Sequence, residues 1–163
     1  MFLKFWGLLF LCLGGFFGGF TKAKELSERV ASIEGLIEAL VIFQNEISYK
    51  SEPVILAARK GAEVDISGIF KEGCALLMEL GAAEAFKAAT ERAGIGKEEK
   101  EVMRAFSLGL SAENCDGQIK NCALAAERLK LILEKAVLKK EKYSRLYISG
   151  GILMGAAGGI ILL

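Results

Sequence analysis

The stretch KELSERVASIEGLIEALVIFQNEISYK, residues 24–50, sets apolar side chains at Leu26, Val30, Ile33, Ile37, Leu40 and Ile47. Steps of three and four put these residues on one stripe of an α-helix, the spacing at which a helix covers a core. The stretch contains no proline and a single glycine, Gly35, so the spacing predicts an unbroken helix to about Tyr49. Toward the N-terminus nothing interrupts it either, and the helix is expected to emerge directly from an apolar block.

Working outward, Pro53 follows Ser51 and Glu52 and suits the first turn of a second helix, which Gly61 ends. Asp65 is placed to cap a third helix through ISGIFKEGCALLMEL, stopped at Gly81. AAEAFKAATERA reads as a fourth helix, ended by the glycines of GIG at 94–96. KEEKEVMRAFSLGL reads as a fifth, with acidic residues in the first turn where the helix dipole favours them. The last helix begins near Ala112–Asp116 and shows Ile119, Cys122, Ala126, Leu129, Leu133 and Ala136 on one stripe. No alternating run suggests a strand, and the chain has one proline. The expected class is all-α, a membrane-anchored antiparallel bundle of about six helices. Its two long arms, Lys22–Tyr49 and Asp116–Arg145, would each be about 42–45 Å long at 1.5 Å per residue.

The charge distribution defines the ends. No charged residue occurs from Phe5 through Thr21, nor from Leu146 through Leu163, whereas the region between holds all 20 acidic and 20 of the 21 basic residues. A spanning helix needs about 20 apolar residues, with about 17 as the lower limit, and both blocks reach that limit. The first is not read as a cleavable signal, because no A-x-A-like site follows it. The expected organisation is therefore residues 1–21 as an N-terminal transmembrane helix, 22–145 as a soluble bundle, and 146–163 as a C-terminal transmembrane helix. Lys135, Lys139, Lys140, Lys142 and Arg145 precede the second block and no basic residue follows it. By the positive-inside rule the middle domain is then cytoplasmic and the chain two-pass. This basic cluster serves as a topology signal and can also face anionic lipid.

The pattern excludes several chemistries. A net charge of +1 with no interleaved aromatic and basic patch gives no nucleic-acid footprint. There is no histidine, so the usual nucleophile–base arrangements lack their base. The cysteines Cys12, Cys74, Cys115 and Cys122 form no CxxC pair, and zinc ligation of the usual spacing is unsupported. They read as free thiols of a reducing compartment. No phosphate loop is present, since GIGKEE has neither the spacing nor the preceding strand. The chain is expected to be no enzyme and to carry no cofactor or metal.

What the apolar blocks do carry is glycine at a helical interval. Gly14 and Gly18 form one GxxxG step, Gly15 and Gly19 a second, and Gly151, Gly155 and Gly159 two in succession. Such spacing clears one helix face for close approach by another backbone. The expected partner is the block at the other end of the same chain. A second subunit, making a homo-oligomer, is the alternative.

The segment ERVASIEGLIEALVIFQNEISYKSEPVILAA (residues 28–58) resembles the stage III sporulation protein AB family, matching it at Arg29, Glu46, Ile47, Tyr49 and Pro53. FSLGLSAENCDGQ (106–118) is similar to that family's Leu-Gly-x-Ser segment, with Leu108, Gly109, Ser111 and Gln118 in the matching places. KKEKYSRLYISGGILMGAAGGIILL is similar to its basic, tyrosine-containing lead into a glycine-rich terminal helix. The likeness covers essentially the full length, with one departure at Phe86, where the family pattern has tryptophan. The resemblance implies a non-catalytic platform subunit of the channel complex between mother cell and forespore, located in the mother-cell membrane around the forespore. Its soluble domain would look like those of type II secretion and type IV pilus platform proteins. The implied partners are a secretion-type ATPase and ring-forming channel membrane proteins, besides membrane lipid. Glu46, Tyr49 and Pro53 are expected to shape the turn and core at the end of the first arm. The alternative is a helical-hairpin membrane scaffold, or a secretion or pilus platform protein, outside sporulation.

Overall fold

The computed structural model describes residues 2–50, 53–111 and 115–162, with side chains for 20–49, 53–111, 115–143, 146, 149 and 150. Among the described residues the chain is all-α. Six helices occur and no strand: α1 (Phe2–Lys50), α2 (Val54–Gly61), α3 (Ile69–Leu80), α4 (Ala82–Arg92), α5 (Lys97–Gly109) and α6 (Cys115–Leu162). Among these residues no helix is long and apolar enough to cross a membrane. Most of the two apolar blocks, including the glycines Gly14, Gly15, Gly18, Gly19, Gly151, Gly155 and Gly159, lies outside the described side chains.

The helix boundaries follow the sequence expectation closely except at α3, which starts later than the residue after Asp65. The reason is a local turn. Asp65 Oδ1 accepts hydrogen bonds from the Ser67 N–H (2.9 Å) and the Ser67 hydroxyl (2.5 Å), the pattern by which aspartate builds its own turn. Gly68 then adopts a left-handed φ of 79°, which glycine reaches without a Cβ penalty. Asp65 Oδ2 finally accepts the Phe70 N–H at 2.8 Å. The carboxylate thus does cap α3, but from across a turn, by satisfying a donor that the helix's first turn leaves without an intrahelical partner.

The chain divides into two compact units, residues 31–134 and residues 1–30 with 135–163. The first contains α2 to α5 whole, with the inner parts of α1 and α6. Its centre is four phenylalanines from four helices, Phe43 (α1), Phe70 (α3), Phe86 (α4) and Phe106 (α5), all buried. Phe70 and Phe86 stand 5.2 Å apart at 78° and Phe86 and Phe106 5.9 Å apart at 88°. Phe43 meets Phe70 at 6.0 Å and Phe106 at 5.9 Å. These edge-to-face contacts put the positive rim of one ring on the negative face of the next, each worth about 0.5–1.5 kcal/mol beyond area burial. Gly73 of α3 lets the Phe86 ring come close, since a Cβ there would lie 3.1 Å from it. On the outside of this unit, Arg92 of α4 pairs with Glu72 of α3 at 2.7 Å, and Arg104 of α5 grips both carboxylate oxygens of Glu91 on α4.

The face that α1 buries is broader than the predicted stripe. Val30, Ile33, Leu40 and Ile47 are buried as expected and Leu26 and Ile37 half-buried, but Leu36, Ala39 and Phe43 are fully buried as well. More than one element packs on this helix. Phe43 meets α3 and α5, while Gly35 admits the α2–α3 turn, where a Cβ would stand 2.9 Å from the Val64 carbonyl oxygen. The close approach at Gly35 is to a turn and not to another helix. On α6, Cys122, Ala126, Leu129 and Ala136 are buried as expected. Ala125 and Ile132 join them, and Ile119 and Leu133 are half-buried. The second unit consists of the outer parts of α1 and α6, where Val30 and Ala136 are buried.

Candidate functional site

The residues singled out from the sequence fall in three places. The first is the link between α1 and α2. Glu46 on α1 and Lys60 on α2 are joined by a 2.6 Å ion pair, with the Glu46 side chain only 13% exposed. Ile47, next to Glu46, is buried in the core. Pro53 takes the N-cap position of α2 with φ −55°, and its carbonyl accepts the N–H groups of Leu56 and Ala57. Pro53 therefore opens α2, where its fixed φ and missing N–H suit a helix start. It is exposed, however, and Tyr49 is 85% exposed. Tyr49 and Pro53 are thus not core residues, which corrects the expectation. Tyr49 lies two residues beyond Ile47, and two helical positions turn about 200°, so the side chain is carried to the opposite face.

The second place is the junction of α5 and α6. The Leu110 N–H turns to the Ser107 carbonyl at 3.1 Å, and the Phe106 carbonyl accepts a hydrogen bond from Asn121 Nδ2 of α6 at 2.7 Å. A side chain at Gly109 would collide with the Asn121 amide. Gly109 is the residue that allows α6 to seal the end of α5. Gln118, one turn before Asn121, is half-buried, and so is Arg29 on α1.

The third place is the basic cluster. Lys135, Lys139 and Lys142 are exposed and Lys140 is half-buried, while Arg145 lies outside the described side chains. Lys142 Nζ lies 5.6 Å from the centroid of the Tyr143 ring, a cation–π distance. Lys60 and Asn121 were not anticipated. Each acts through a partner on another helix, 14 and 15 residues away, and no period carries across the break between two helices.

The thiols of Cys74 and Cys122 are held in their protonated form. Burial raises the thiol pKa of Cys122 to about 12, and burial likewise raises that of Cys74, partly offset by Arg59. Both stay protonated at neutral pH and are poor nucleophiles. Among the described residues no three His, Cys, Asp or Glu side chains are grouped to hold a metal ion.

An all-α chain with this ordered set of turns and exposed end residues has known counterparts. The family model for stage III sporulation protein AB matches residues 4–163, and the chain belongs to that family. A solved structure titled stage III sporulation protein AB (SpoIIIAB) is similar, with a TM-score of 0.63 at 23% identity. That match covers 71% of this chain and 98% of the other, and at this identity it establishes the fold. No curated protein sequence matches the chain. Family membership identifies a sporulation protein and is consistent with a component of a sporulation complex.

Proposed function

We propose that this protein is a non-catalytic membrane platform of the sporulation complex, holding a cytoplasmic ATPase against the channel between mother cell and forespore. Residues 1–21 and 146–163 anchor it as two transmembrane helices, and residues 22–145 form the cytoplasmic bundle. Charge supports this division, since both end blocks are free of charged residues and the lysines cluster before the second. The membrane is the mother-cell membrane around the forespore, as family membership suggests. The partners are a secretion-type ATPase and ring-forming channel membrane proteins, and ATP is hydrolysed by the partner.

The observation that carries the docking reading is Tyr49. An aromatic ring 85% exposed stands near the end of α1, on the helix whose Glu46 pairs with Lys60 of α2. Aromatic side chains are preferred anchors of protein interfaces. The test is co-purification of the full-length protein from cells at the engulfment stage. Recovery of the secretion-type ATPase with the wild-type chain, and its loss with Tyr49→Ser, is the expected result. Failure of the wild-type chain to retain the ATPase overturns the reading.

A further inference from the structure

Helix α6 carries a second apolar row that faces away from the core. Leu124, Leu131 and Leu138 recur every seven residues and are 49%, 60% and 66% exposed, whereas Cys122, Ala125, Leu129 and Ile132 on the same helix are buried. Seven residues fall about 20° short of two turns, so the three leucines form a single ridge about 21 Å long. Three positions on from each leucine stands an acid: Glu127, Glu134 and Glu141. Four positions on stands a base: Arg128, Lys135 and Lys142. All six are exposed. Offsets of three and four turn to opposite sides of the starting residue, so the ridge has an acidic flank and a basic flank.

We infer that this ridge joins two copies of the chain in parallel. A single exposed leucine is ordinary on a protein surface, but three in line, one per heptad, make a continuous apolar strip along which a second helix can lie. The sorted charges identify the occupant. In two parallel copies related by a two-fold axis along the helices, the acidic flank of each faces the basic flank of the other, on both edges of the seam. In an antiparallel pair, acid would face acid and base would face base, which is unfavourable. A lipid surface or a partner of one charge sign would be attracted by one flank and repelled by the other. The ridge is a self-complementary surface, and its complement is a second copy pointing the same way. The inference stands on α6 alone and does not depend on the ATPase reading.

The test is cysteine cross-linking of the full-length chain in phospholipid vesicles, with Cys12, Cys74, Cys115 and Cys122 replaced by alanine. Under mild oxidation, Leu131→Cys should give disulfide dimer several-fold above Lys130→Cys, which lies on the same helix about 100° away. Leu124→Cys and Leu138→Cys should each cross-link with themselves. Changing Glu127, Glu134 and Glu141 to lysine in the Leu131→Cys chain should reduce the dimer several-fold. Mixing that chain with one carrying Arg128→Glu, Lys135→Glu, Lys142→Glu and Leu131→Cys should restore it. Circular dichroism checks that each variant keeps its helix content. Cross-linking of Leu131→Cys no better than Lys130→Cys overturns the dimer. A preference of Leu124→Cys for Leu138→Cys overturns its parallel sense, and indifference to the charge changes overturns the pairing of flanks.

Discussion

Lys60 Nζ donates to Glu46 Oε2 across 2.6 Å, tying the end of α2 to the end of α1 with the carboxylate mostly shielded from water. An exposed pair is worth about 0–1 kcal/mol and breaking a buried one costs about 3–5 kcal/mol. For this half-shielded pair, Glu46→Gln is expected to destabilise the chain by roughly 1–2 kcal/mol, between those limits. Thermal unfolding of the full-length protein followed by circular dichroism checks this. A variant as stable as the parent would mean that the pair leaves the α1–α2 turn unsupported.

Gly109 and Asn121 form a coupled site. Asn121→Ala removes the hydrogen bond to the Phe106 carbonyl and should cost about 1–2 kcal/mol. Gly109→Ala pushes a methyl group into the Asn121 amide and should cost a similar amount. Since both changes act on one contact, the double variant should cost less than the sum, by about 0.5–1 kcal/mol or more. Strict additivity in a double-mutant cycle would separate the two residues.

The resemblance placed tryptophan where this chain has Phe86, and the structure shows why phenylalanine fits here. Its ring fills the space over Gly73 and touches Phe70 and Phe106 edge to face. Phe86→Trp should therefore overpack the core and destabilise the chain by about 1–3 kcal/mol. The measurement is again thermal unfolding, and a tryptophan variant of unchanged stability would show slack that the packing lacks.

The Arg104 hydrogen bond and charge, with Lys100 and Lys87 adding to them, hold the Glu91 carboxyl below its ordinary pKa, against a smaller opposing effect of burial. A carboxylate with a depressed folded-state pKa contributes stability that is present above its unfolded value and lost as the pH falls through the folded one. Glu91→Gln should therefore lower the melting temperature slightly at pH 7. The difference from wild type should shrink as the pH falls below about 4. A difference that stays constant or grows toward acid would contradict the pairing.

Helix positions and the turn signals were legible because their causes are local. Asp65 caps a helix five residues away at most, and Pro53 fixes a turn through its own ring. The single stripe read on α1 missed Leu36 and Phe43, because the width of a buried face depends on how many elements pack on it. The four-phenylalanine centre, the Glu46–Lys60 pair and the Asn121–Phe106 bond all join residues on different helices, and no period in the sequence announces them. Tyr49 was expected to help shape the turn and core at the end of the first arm. Its exposure follows from helix rotation, since Ile47 already holds the inward position.

The proposed platform requires a bundle held at the cytoplasmic face of a membrane by both ends of the chain, since only there can a cytoplasmic ATPase reach Tyr49. Cys115 is exposed at the start of α6, whereas Cys122 is buried with its thiol pKa raised to about 12, so Cys115 is the natural reporter. A membrane-impermeant maleimide applied to protoplasts expressing the full-length chain should leave Cys115 unlabelled, and should label it once the membrane is opened. Labelling of Cys115 in sealed protoplasts would contradict the account.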